Sequence, residues 1–106
     1  VHIVTRRHLS EASVTFKDAA NELGKWVAIV AAARWRNIEE VRAMFKDVDP
    51  VDGYVVFNIR HNRYRLITVI HYARDLPKET AGHIYIRSFL THADYNDKSK
   101  WDPFAG

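Results

Sequence analysis

The apolar residues of this chain change their period once, at Tyr54, and that change constrains the fold more than any other feature of the sequence. Before it, Leu23, Trp26, Val27 and Val30 recur at three and four, the stripe of a helix that lays one side on a core. After it, Val55, Phe57 and Ile59 alternate with Tyr54, Val56 and Asn58, which is the period of a strand. Helices first and strands afterwards imply an α+β domain, with N-terminal helices packed on one face of a small, mainly antiparallel sheet.

Local signals supply the remaining elements. His2 to Val4 is a short strand candidate, and Thr5 is placed to cap a helix running through Leu9, Ala12, Val14 and Phe16. Asp18 is placed to cap the striped helix, in which Gly24 is the weak point. Asn37, with Glu40 in capping-box position, starts a short third helix carrying Ile38, Val41 and Phe45 on one side. DVDPVDG, Asp47 to Gly53, reads as a loop. YVVFNI and YRLITVIHY then read as a hairpin across the polar turn RHNR, and the loop RDLPKETAG leads to a further strand, HIYIRSFL. Of the tryptophans, Trp26 is expected in the core, Trp35 in the core or on a partner surface, and Trp101 in a C-terminal tail.

Composition narrows the function. A chain of 106 residues that is 47% hydrophobic suits one domain spanning 1–106. Without cysteine there is neither a disulfide framework nor a thiolate metal site, which fits a reducing cytoplasm. The apolar run WVAIVAAARW is too short to cross a bilayer and lies away from the N-terminus, so a soluble, cytoplasmic protein with no membrane partner is expected. The net charge of +3 leans mildly toward polyanions. Its placement says more: acids gather between Glu39 and Asp52, whereas Arg60, Arg63, Arg65, Arg74 and Arg87 fall among the strands. No Gly-rich phosphate loop, nucleophile elbow or paired-carboxylate motif is present, and the six histidines form no recognisable ligand set. No metal and no cofactor are expected.

Two places can carry chemistry. Arg65 shares its face with Ile67, Val69 and His71, and Arg87 stands between Ile86 and Ser88. Each guanidinium either reaches past the sheet edge to solvent or is held to meet an anion, and on adjacent strands the pair suits a bidentate grip on phosphate. In RSFLTHADYND, His92 and Tyr95 are three apart and share a face if a helix opens there. They suit an acid–base pair; the plainer reading makes the segment a helix start. Asn58, at its strand's end, is most simply a residue satisfying backbone groups.

In this order, YVVFNIRHNRYRLITVIHYA and then HIYIRSFLTHADY resemble the HigB-type toxins of bacterial toxin–antitoxin pairs, within the RelE-like mRNA interferases. The resemblance runs from Val55 to Tyr95 through FNI, a polar turn containing Asn62, YRLI, an I-Y-I-R strand and L-T-H-A-acid-Y, and WRNIEEVRAMF fits its N-terminal half. Two positions depart from it: Asn96 follows the tyrosine where relatives often have an acid, and Arg60 and His61 occupy a turn that often contains glycine.

The resemblance implies a RelE-like fold and a metal-independent endoribonuclease that enters the ribosomal A site and cuts the mRNA held there. It also implies a cognate helix-turn-helix antitoxin (HigA-like), with promoter DNA reached only through the toxin–antitoxin complex. Under it, His92 and Tyr95 share proton transfers for attack by the substrate 2′-hydroxyl, Arg65 and Arg87 stabilise the phosphate, and Asn58, Arg60 and Arg63 position RNA. Two rival readings stand beside it: a catalytically inactive RNA- or antitoxin-binding module acting as corepressor, and a plain interaction domain. What separates them is whether His92 and Tyr95 reach Arg65 and Arg87 around one concave surface.

Overall fold

Phe57 is where the helical half and the strand half of the chain meet. The computed structural model describes residues 1–4, 6–60, 63–75 and 79–96, so Thr5, the turn residues His61 and Asn62, and Trp101 lie outside the described residues. The order is β1 (His2–Val4), α1 (Arg6–Thr15), a 3-10 turn (Lys17–Ala19), α2 (Ala20–Ala32), α3 (Ile38–Met44), β2 (Asp49–Val51), β3 (Tyr54–Ile59), β4 (Tyr64–His71), β5 (His83–Thr91) and α4 (His92–Tyr95). This is an α+β fold, as the change of period implies. No helix among the described residues is long and apolar enough to cross a membrane.

The strands form one sheet in the order β1-β5-β4-β3-β2, antiparallel except for the parallel β1–β5 pair. One face buries the apolar stripes. Leu23, Trp26 and Val30 from α2 and Val41 from α3 join Phe57, Leu66, Ile84 and Ile86 in a single core cluster. Phe57 is its centre, with ring centroids 5.4 Å from Trp26 and 5.1 Å from Phe45, both edge to face. Trp35 belongs to this core too: it is 2% exposed, and its indole N–H donates to the sulfur of Met44 at 3.2 Å.

Asn37 caps α3 as its spacing predicts, its side chain accepting from the Glu40 N–H at 3.0 Å. Two local expectations are corrected. Asp18 does not cap α2, whose N-terminus follows a 3-10 turn without a side-chain cap; its carboxylate instead accepts from the Tyr64 hydroxyl at 2.8 Å. Both carboxylate oxygens are taken by long-range partners, one by Tyr64 and the other by the Arg63 guanidinium. The Asp47–Gly53 segment is not all loop. Asp52 and Gly53 both have positive φ, 51° and 86°, the requirement of a two-residue type I′ hairpin, and they fold β2 back onto β3 with Val51 opposite Tyr54. Pro50 is tolerated there because β2 is the sheet's edge.

Candidate active site

Arg65 sits on the middle strand, opposite Asn58 of β3 and Leu90 of β5, on the face turned away from α1 and α2. It is only 9% exposed, so its charge needs partners. One guanidinium nitrogen donates to its neighbour's carbonyl, that of Tyr64, at 3.3 Å, and the other reaches Nδ1 of His92 at 3.0 Å. The guanidinium carbon also lies 5.5 Å from the centre of the Tyr95 ring, within cation–π range.

The backbone explains why α4 opens at that point. His92 N–H donates to the Arg63 carbonyl at 3.0 Å, extending the β4–β5 ladder one residue past the Tyr64–Thr91 pair. Thr91 then accepts from the Asp94 N–H at 3.2 Å and starts a single helical turn. That turn puts His92 and Tyr95 on one side, and both meet Arg65.

Arginine has only donors, so Nδ1 of His92 is the acceptor and the ring proton resides on Nε2. A strand side chain thus selects the tautomer of the helix side chain. Beside this cluster lies a hollow of about 330 Å³ whose walls include Arg65, Tyr95, Asn58, Lys46, Asp47 and Asp49. Asn58 ties its rim together by donating to the Asp47 carbonyl at 3.4 Å. Sequence reasoning missed Lys46 and Asp47. The Asp52-Gly53 pair was the available signal, since a tight hairpin there must lay the preceding residues along β3.

Arg87 is not brought to this cluster. Ile67 pairs with Ser88 and Thr68 with Ile86, so Arg87 is the extra residue of a bulge. Because β1 pairs only with His83 to Tyr85, β5 is an edge from Ile86 on. Arg87 is exposed along that edge and lines a separate hollow of about 310 Å³ with His8 and Glu11 of α1.

Arg60 and Arg63 stand at the exposed hairpin end. Arg60 has φ 55° and its N–H donates to the Glu22 carboxylate at 2.5 Å, while the Arg63 guanidinium pairs with Asp18 at 3.1 Å. Both are tied to the helical layer. The same Asp18 carboxyl is held below the usual carboxylate range, first by the Tyr64 hydroxyl and then by the Arg63 charge, with burial opposing them. Tyr64 is pushed up chiefly because its proton is engaged by Asp18.

One comparison with known proteins bears on this arrangement. The family model for the HigB toxin, described as the RelE-like toxic component of a toxin–antitoxin system, matches residues 19–98, well over half of the chain. No curated protein matches it.

Proposed function

The chain belongs to the HigB toxins, the RelE-like toxic components of toxin–antitoxin systems, and on that premise we propose that it is a ribosome-dependent mRNA endoribonuclease held in check by a helix-turn-helix antitoxin. The observation that supports catalysis is that Arg65 meets both His92 and Tyr95, with Arg65 and Tyr95 lining one polar hollow and His92 reaching it through Arg65. A guanidinium, an imidazole and a phenol within reach of each other are the parts an RNase that uses the substrate's own 2′-hydroxyl requires.

The step runs through these side chains without a metal or cofactor. A scissile phosphate entering the hollow meets the Arg65 guanidinium, whose N–H groups turn from His92 to the phosphate oxygens. That frees Nδ1 of His92 to take the proton of the 2′-hydroxyl. The 2′-oxygen forms its bond to phosphorus, the bond to the 5′-oxygen breaks, and Tyr95 gives its phenolic proton to that leaving oxygen. The products are a 2′,3′-cyclic phosphate and a free 5′-hydroxyl, and solvent returns the protons. Asn58, in register with Arg65, orients the strand beside the phosphate. Arg87, Arg60 and Arg63 act by general attraction to the RNA backbone, since none is a member of the cluster.

Induced expression in a bacterial host, with primer extension on cellular mRNA, tests this. Growth arrest with new in-frame cuts that His92→Ala and Arg65→Ala abolish is the expected result. Soluble wild-type protein that neither arrests growth nor cuts mRNA overturns it and leaves a toxin-family module that binds without cleaving.

A further inference from the structure

The sheet face that carries Arg65 does not end at the hollow. Along β4 the residues that share its side are Ile67, Val69 and His71, and their cross-strand partners continue the face row by row. Val56, Ile67 and Ser88 form the next row, then Val69 and Tyr85, then His71, His83 and His2. Six residues at roughly 3.3 Å each put the last row about 20 Å from Arg65.

The far rows are built of rings in contact. His71 and Tyr85 meet edge to face at 5.0 Å, Tyr85 and His83 stack at 6.3 Å with planes 26° apart, and His83 and His2 meet at 5.5 Å. All three imidazoles are exposed, and Tyr85 is half-buried. α1 and α2 pack on the opposite face. Among the described residues, no three His, Asp or Glu side chains are grouped so that they could hold a metal ion. Four rings of this kind on an open sheet make a surface on which unpaired bases stack, because every base has a π-face and sequence then matters little.

We propose that His71, Tyr85, His83 and His2 form a stacking platform for the single-stranded mRNA that leads to or from the scissile phosphate at Arg65. The proposal rests on the endonuclease reading above and adds a second point of contact to it. Continuity of the face favours this occupant: a strand fixed by its phosphate at Arg65 runs along the same sheet face to the rings. Between them Ile67 is fully buried in a second apolar cluster with Tyr54 and Val56, against which Val69, Leu90 and Tyr95 pack, so the strand crosses the outer side chains of that cluster on its way to the rings.

The test places the photo-crosslinking residue p-benzoylphenylalanine at Tyr85 or at His71 and irradiates the protein on ribosomes programmed with labelled mRNA. It is combined with steady-state cleavage by His71→Ala, Tyr85→Ala and His83→Ala, each checked for an unchanged thermal midpoint. Cross-links to mRNA within a few nucleotides of the cleavage site, with KM raised roughly fivefold or more and kcat little changed, are expected. Cross-links to ribosomal RNA alone, cross-links only to the antitoxin when it is added, or wild-type KM in all three variants overturn the proposal. If wild-type protein fails to cut, the endonuclease reading falls, and the cross-linking arm still decides whether mRNA lies on the rings.

Discussion

Arg65 donates to Nδ1 of His92 across 3.0 Å, joining the middle strand of the sheet to the first residue of α4. The bond does two things: it offsets the cost of burying the guanidinium and fixes which imidazole nitrogen is protonated.

Replacing that guanidinium by an ammonium keeps the charge and loses the fork. Arg65→Lys is therefore expected to lower the proposed mRNA cleavage by about 100-fold or more, and His92→Ala to fall in the same range, as primer extension would read. Arg87→Ala, outside the cluster, changes cleavage by less than about tenfold and acts mainly on KM. Equal losses at Arg65 and Arg87 would contradict the division between the two hollows.

The Asp18–Tyr64 tie makes stability depend on pH in two directions. Asp18 has a lowered folded pKa, so its contribution is present above the unfolded carboxylate value of about 3.9 and is lost as pH falls through the folded value. Tyr64 has a raised folded pKa, so its contribution is present below about 10 and is lost as pH rises through the folded value. The melting-temperature gap between wild type and Tyr64→Phe is expected to be widest at neutral pH and to shrink at both extremes. A gap that is constant with pH would show that the hydrogen bond contributes nothing.

Glycines at two positions predict opposite outcomes. Gly82 has φ 83°, and a Cβ there would stand 2.7 Å from the His71 carbonyl oxygen and 2.9 Å from the Ala73 nitrogen, backbone atoms that cannot move aside alone. Gly82→Ala should destabilise by at least about 2 kcal/mol. Gly24, inside α2, meets nothing within 4 Å, so Gly24→Ala should stabilise by about 0.5–1 kcal/mol. Urea midpoints of the two variants check both signs.

Asn37 is the one helix cap that both the spacing and the structure assign to α3. Asn37→Ala leaves the Glu40 N–H without its acceptor and is expected to cost about 1 kcal/mol, a drop of several degrees in melting temperature.

What could be read in advance divides along the line between local and long-range causes. The helix stripe, the Asn37 cap and the alternation of β3 and β4 depend on neighbours in sequence, and they appear in the structure as the spacing indicates. The shared side of His92 and Tyr95 was legible from their spacing, but the bond from Arg65 was not, because it spans two elements. Arg87 looked equivalent to Arg65 because both interrupt apolar strands. The bulge that separates them exists only in the pairing of β4 with β5, and nothing local to Ile86-Arg87-Ser88 announces it. Asp18 misled for the same reason: its Tyr64 partner lies 46 positions away. At β2 the signal was local and present, and Pro50 obscured it.

The parallel pairing of His2 with His83 sets a condition on when this protein can act. During synthesis β1 precedes the strand beside it and must wait for it, as Arg65 waits for His92 and Tyr95. A nascent chain that has reached only β4 lacks the acid–base groups and leaves one long edge of the sheet unpaired. Contacts of such sequence separation also form slowly. The site proposed here therefore cannot assemble until β5 and α4 have followed β4 off the ribosome.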